Sequence, residues 1–218
     1  MSTAEIAGLV LAAVPARGRA LVAVDGIGAS GKTSFTEALA RHVTTRPVVV
    51  LHTDDFFHVA EVRHARGRYS AEGFWRDAFD TEALRESLDH LVAGGDGVYR
   101  HASFDARAGR SVRPEPRVAP PDALVLVEGV FLHRDELAGY WDVSLWLDVT
   151  PDEAARRMVA RDGLRPGDPR LARYAGAQRL YTDAAGPRDR ASFVVDMSDP
   201  AAPRVVRRAG DPTQAEPV

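Results

Sequence analysis

Two runs of opposite character, the strand-like Ala20-Leu21-Val22-Ala23-Val24 and the helical Ser34-Phe35-Thr36-Glu37-Ala38-Leu39-Ala40-Arg41, are joined by Gly26-Ile27-Gly28-Ala29-Ser30-Gly31-Lys32-Thr33. The joining segment fits G-x-x-x-x-G-K-[ST], and strand, loop, helix is the context in which that pattern cradles phosphate. At this chain's composition such a run arises by chance in fewer than about one chain in a thousand of this length. Loop N–H groups and the positive end of the helix would hold phosphate, and the Thr33 hydroxyl can reach a magnesium ion. Gly26, Gly28, Ala29, Ser30, Gly31, Lys32, Thr33 and Ser34 are therefore the candidate nucleotide-phosphate site.

Lys32 is the single lysine among 28 Lys and Arg residues. A composition that otherwise uses arginine keeps lysine where a compact ammonium fits over phosphate oxygens and the wider guanidinium fork would press on the loop amides.

A length of 218 residues with 45% hydrophobic content suits one α/β domain with a sizeable core. The net charge is −3 and the arginines are dispersed, so no basic block points to nucleic acid. There is no cysteine, which excludes disulfides and thiolate metal sites and suits a reducing cytoplasm. Ile6 to Val14 is apolar, but Glu5 precedes it and no positive residue does, so an N-terminal helix packed on the domain is expected rather than a signal segment. No apolar stretch reaches membrane-spanning length.

Strand-like runs recur at 20–25, 47–52, 123–128, 143–149 and 193–196, with helical patterns at 32–43, 80–93 and 151–161. Alternation of this kind with continuously apolar strands predicts an α/β P-loop NTPase fold, a parallel sheet with helices on both faces. Short proline-broken segments over 97–120 predict a small hairpin or acceptor lid. One domain is expected over 1–209, with an arginine lid at about 157–170 and a flexible tail over 210–218.

Strand 47–52 leads into Thr53-Asp54-Asp55-Phe56-Phe57, placing acids and aromatics at the carboxyl edge of the sheet. Transfer of a phosphoryl group to an alcohol needs a carboxylate near the acceptor hydroxyl and near magnesium, and Asp54 is the first choice for both. Glu128-Gly129 ends a second strand at the same edge, where the carboxylate can hold magnesium's water shell opposite Thr33. Arg157 and Arg161 share one helix face, and with Arg165, between Gly163 and Gly167, they could close over nucleotide phosphates. Lys32, Asp54 and Arg161 are the candidate catalytic groups. Trp75, Phe79, Phe104 and Tyr174 could flank a flat ligand, although scattered aromatics commonly serve the core. The seven histidines show no metal-ligand spacing and are read as structural.

In this order, the phosphate loop, Asp54-Asp55-Phe56-Phe57, Glu128-Gly129-Val130-Phe131 and the Arg157-to-Asp162 lid start resemble the uridine kinase family and its relatives, the nicotinamide riboside kinases and phosphoribulokinases. The resemblance covers about 20–196. It implies ATP as phosphate donor, magnesium held around Thr33, Asp54 and Glu128, and Asp54 as base. It also implies an acceptor site that includes Phe57, Trp75, Asp77, Phe104, Asp105 and Tyr174. Two departures stand out: Gly73-Phe74-Trp75-Arg76 lacks the aspartate that grips ribose hydroxyls, and Phe104 takes the place of a tyrosine.

The expected activity is transfer of ATP's terminal phosphate to a primary alcohol of a small molecule, first of all a nucleoside such as uridine or cytidine. Nicotinamide riboside or pantothenate is the alternative acceptor, and a nucleotide-binding module without turnover is the alternative class. A guanine-reading switch is excluded, because the chain has no asparagine and its lysine is already used. Neither nucleic acid nor membrane is expected as a partner, and self-association is left open.

Overall fold

In the computed structural model, which describes residues 1–165 and 167–210, six strands form the central sheet. The chain begins with α1 (Thr3–Ala13), capped by Ser2 and Glu5 in a reciprocal capping box, and continues through β1 (Ala20–Gly26), α2 (Lys32–His42) and β2 (Val48–His52). A 3-10 turn, Thr53–Phe56, leads to α3 (Ala60–Arg63), α4 (Ala71–Asp77) and α5 (Thr81–Leu91). Four two-residue strands follow: β3 (Val98–Tyr99), β4 (Phe104–Asp105), β5 (Arg110–Ser111) and β6 (Arg117–Val118). The second half comprises β7 (Leu124–Gly129), α6 (Asp135–Ala138), β8 (Val143–Asp148), α7 (Pro151–Asp162), α8 (Pro169–Ala185), α9 (Pro187–Arg190), β9 (Phe193–Asp196) and β10 (Arg204–Arg208).

The sheet order is β10-β9-β8-β1-β7-β2; strands β2, β7, β1, β8 and β9 run parallel, and their apolar residues find cover on one face or the other. Val22, Val24, Leu124 and Leu126 pack on α1 and α2 through Ile6, Val10, Phe35 and Leu39. Their sequence neighbours Leu21, Ala23, Val125 and Val127 point the other way, onto Leu84, Leu88 and Leu91 of α5. The expected doubly covered sheet is present, and the apolar N-terminus is a helix packed on it with Ile6, Ala7 and Val10 buried.

Three features differ from expectation or were not foreseen. The sheet carries an antiparallel edge strand, β10, paired with β9 and broken by a register shift between Val205 and Arg207. Three arginines among its five residues, Arg204, Arg207 and Arg208, hide a strand that has only one half-buried face. The 97–120 excursion is two nested antiparallel pairs, β3 with β6 and β4 with β5, rather than one hairpin. A 17-residue helix, α8, packs on α4 so closely that a Cβ at Gly176 would stand 2.7 Å from that of Ala71. Of the tail expected over 210–218, all but Gly210 lies outside the described residues, as does Pro166 of the expected arginine lid.

Candidate active site

The loop from Gly26 to Gly31 turns β1 into α2 under steric constraint. A Cβ on Gly26 would meet Ser30 Oγ at 2.7 Å and the Leu147 carbonyl at 2.9 Å, so only glycine fits. Gly31, at φ +93°, begins α2 in the left-handed region, and no side chain caps the helix. Its first amides thus keep their hydrogen-bonding capacity and the helix keeps its positive end for an anion. Lys32 Nζ folds back over this loop, donating to the carbonyls of Gly26 at 3.1 Å and Ile27 at 2.9 Å. Burial lowers the pKa of this ammonium, while Glu128, Asp25 and Asp54 oppose the effect.

Parallel register brings the acids to the same level. His52 of β2 pairs with Glu128 of β7, and Gly129 with Asp25 of β1. Glu128 Oε1 accepts from Thr33 Oγ1 at 3.1 Å and contacts His52 Nδ1 at 2.7 Å, so it is held between the start of α2 and the end of β2. The bond to Glu128 raises the pKa of His52 against the opposing effect of burial. A Cβ on Gly129 would run into the Thr53 side chain, which sits in the space that glycine leaves. Thr53 in turn opens the 3-10 turn that presents Asp54. Asp54 opens onto the cavity, yet the protein packed around it raises its carboxyl pKa, with the like charge of Glu128 adding to the shift and Lys32 opposing it.

A cavity of about 500 Å³ unites these groups. Gly28, Ala29, Gly31, Lys32, Thr33 and Ser34 form its floor, with Asp54 and Glu128 beside them. Arg157 and Arg161 of α7 stand on another wall. Arg157 is anchored by Glu153 at 2.6 Å and by the carbonyls of Met197 and Ser198 at 2.9 and 3.1 Å, and its Nη1 is buried without a partner. Arg161 is engaged by Asp162 in a two-pronged pair at 2.7 and 3.0 Å. Phe57 and Tyr174 line the remaining side, together with Phe74 and Gln178, which the sequence did not single out.

The structure does not bring every candidate there. Gly26 and Ser30 shape the loop from behind, Ser30 being fully buried. Arg165 is exposed and apart from the cavity walls. Trp75 faces the core, against Phe131 at 4.8 Å and Tyr181 at 5.2 Å, with Arg134 over its ring. Asp77 pairs with Arg66 at 2.8 Å. Phe104 is buried behind Phe57, edge-on at 6.3 Å. Asp105 accepts the amides of Arg107 and Ala108 at 2.9 and 3.0 Å and so spends its carboxylate on its own turn. Conversely, His52 touches a site carboxylate. Its place as the last residue of a strand parallel to the one ending in Glu128 was the available signal.

Residues 21–169 match the sequence profile of the phosphoribulokinase / uridine kinase family. The chain belongs to this family. Uridine kinase-like protein 3 of Arabidopsis thaliana is 28% identical over 149 residues, which are 67% of this chain and 31% of that protein. Uridine kinase of Chlamydia pneumoniae is 24% identical over 151 residues, 68% of this chain and 66% of that protein. The chain thus spans less than two thirds of the length of either curated relative. A solved structure described as a possible uridine kinase from Bacillus stearothermophilus superposes with a TM-score of 0.70, covering 88% of this chain and 96% of the other. At 21% identity that likeness concerns the fold.

As a member of the phosphoribulokinase / uridine kinase family, the chain has a P-loop kinase fold whose loop, two strand-end acids and α7 arginines share one cavity. Thr33, Asp54 and Glu128 offer hard oxygen donors, which suit magnesium. No group of three or more His, Cys, Asp or Glu that could enclose a metal occurs among the described residues. A cation here would take few protein ligands and fill its shell with phosphate oxygens and water, which is magnesium's habit. No helix among the described residues is long and apolar enough to cross a membrane.

Proposed function

We propose that the protein transfers the γ-phosphate of ATP to a hydroxyl of a small molecule. The observation that carries this reading is the meeting of Lys32, Thr33, Asp54 and Glu128, from three separate segments, in one cavity. The loop amides and Lys32 hold the β- and γ-phosphates, and Lys32 exchanges its two carbonyl contacts for phosphate oxygens. Asp54, its carboxyl pKa raised by its surroundings, takes the proton of the acceptor hydroxyl. Arg157 and Arg161 face the transferring group from α7 and offset its charge. Magnesium, held through Thr33, Asp54 and Glu128, would neutralise the phosphate oxygens as transfer proceeds.

The nucleoside reading of the acceptor draws support from the rings of Phe57, Phe74 and Tyr174 on the cavity wall, and from the uridine kinases among the relatives. A coupled assay with ATP, magnesium and a panel of nucleosides, nicotinamide riboside and pantothenate tests the proposal. Magnesium-dependent ADP release on addition of one alcohol is the expected result. Nucleotide binding without turnover on any alcohol favours a binding module instead, and failure to take up any nucleoside triphosphate removes the reading altogether.

A further inference from the structure

Glu128 has rival partners within its own cavity. Its charge acts on the Lys32 ammonium together with those of Asp25 and Asp54, yet Lys32 Nζ forms no ion pair with a described carboxylate and bonds only the carbonyls of Gly26 and Ile27. The Glu128 carboxylate is held elsewhere. Its Oε1 takes the Thr33 hydroxyl at 3.1 Å and His52 Nδ1 at 2.7 Å. A carboxylate only accepts, so Nδ1 carries the proton and donates it. Both bonds fall on the same oxygen, which leaves Oε2 for a cation or its water.

The two partners are not equivalent. Thr33 is itself a proposed ligand of the cation, whereas His52 makes the shorter bond and has no place among those ligands. Parallel register fixes its approach: His52 ends β2 directly beside Glu128 of β7, and the two side chains leave the sheet on one face. The histidine side chain is 35% exposed and that of Glu128 only 9%, so the ring stands on the solvent side of the carboxylate. Asp54 and Asp55 follow closely in sequence, but neither bonds the ring. A Glu128 free to turn has two unproductive places to go. One is the ammonium that phosphate needs, and the other is away from the like charge of Asp54.

We propose that His52 is a positioning residue for the magnesium–nucleotide site: its Nδ1–H holds Glu128 by Oε1, off the Lys32 ammonium, and leaves Oε2 for the cation's water shell. Hydrogen bonds that orient a ligating carboxylate in this way contribute to metal affinity although they never touch the metal. This rests on the phosphotransferase reading above and deepens it, adding to the site a histidine that acts only through Glu128.

The test is calorimetric titration with a non-hydrolysable ATP analogue, once with saturating magnesium and once with EDTA; the ratio of the two affinities is the gain due to the cation. His52→Ala should shrink that gain about tenfold. In His52→Asn the amide nitrogen takes the place of Nδ1, and the gain should return close to wild type. Glu128→Ala should shrink the gain as well, and adding His52→Ala to it should change nothing further, which a merely structural role of the ring would not predict. The partly exposed position of His52 favours folding of each variant, and the Asn rescue separates a lost hydrogen bond from a misfolded site. The proposal is overturned if the wild type gains nothing from magnesium, if His52→Ala keeps the full gain, if His52→Asn is as impaired as His52→Ala, or if the His52→Ala loss persists undiminished on Glu128→Ala. A wild type that binds no analogue under either condition removes the phosphotransferase reading and this role with it. A full gain in both wild type and His52→Ala leaves that reading intact and rejects only the role of His52.

Discussion

The Tyr181 hydroxyl donates to Asp25 Oδ2 and accepts from the backbone N–H of His133 at 2.9 Å, tying α8 to the strand that launches the phosphate loop. Asp25 is wholly buried and also accepts from the amides of Gly26, Leu132 and His133 at 2.7, 3.1 and 3.2 Å, and contacts His133 Nδ1 at 2.7 Å. Burial and the neighbouring carboxylate push the Tyr181 phenol pKa well up. Replacing Tyr181 by Phe removes a charge-assisted bond from a dry site. Chemical denaturation should read a loss of about 2 kcal/mol. An unchanged midpoint would show that the bond contributes nothing net.

Asp54→Asn should keep nucleotide affinity close to wild type and cut turnover by about a hundredfold or more, since it removes the base and a metal contact at once. Single-turnover kinetics beside a binding isotherm separate the two effects. Retained turnover takes the base role away from Asp54.

Lys32→Arg preserves charge and changes shape. The ammonium reaches two loop carbonyls within 3.1 Å, and the wider fork would press on the same backbone. Nucleotide affinity should drop about tenfold or more, by a fluorescent-nucleotide titration. Near-normal binding would mean that charge, not fit, is what the loop requires.

Gly129→Ala drives a methyl group into the Thr53 side chain, so either β7 or the turn bearing Asp54 must give way. Overpacking of this kind costs about 1–3 kcal/mol. Because the strain falls between Glu128 and Asp54, magnesium dependence should weaken as well. The pairing Gly129→Ala with Thr53→Ala should recover part of both losses, and a purely additive double variant would contradict the steric account.

Acid sensitivity should have a contribution from Asp196. The hydroxyl and amide of Ser198 and the Arg204 guanidinium hold its pKa down at about 2, against 3.8 for the free side chain. A depressed folded value gives stability that is present above pH 3.8 and lost as the pH falls from there toward 2. Asp196→Asn should flatten the denaturation midpoint across that window and leave its neutral-pH slope untouched. An identical acid slope in both proteins would mean that the group is not linked to folding.

Much of this was legible because it is local. The phosphate loop, the five parallel strands and the apolar N-terminal helix are each written in consecutive residues, and their outcome follows from periodicity. Strand β10 escaped because three arginines in five residues read as solvated chain until a partner strand is present to pair with them. Trp75 and Phe104 looked equivalent to Phe57 in sequence, since aromatic identity does not say which face of α4 or of a two-residue strand points inward. Asp77 and Asp105 had nearby partners, Arg66 and two turn amides, that no spacing rule singles out. His52 became visible only once β2 and β7 were brought side by side.

The near-contact of Gly176 with Ala71 has a mechanical consequence. With no room for a side chain between them, α4 and α8 approach closely enough for Phe74 and Tyr174 to meet edge-on at 4.9 Å. Any side chain larger than hydrogen at Gly176 would therefore wedge the two helices apart and shift both rings on the cavity wall.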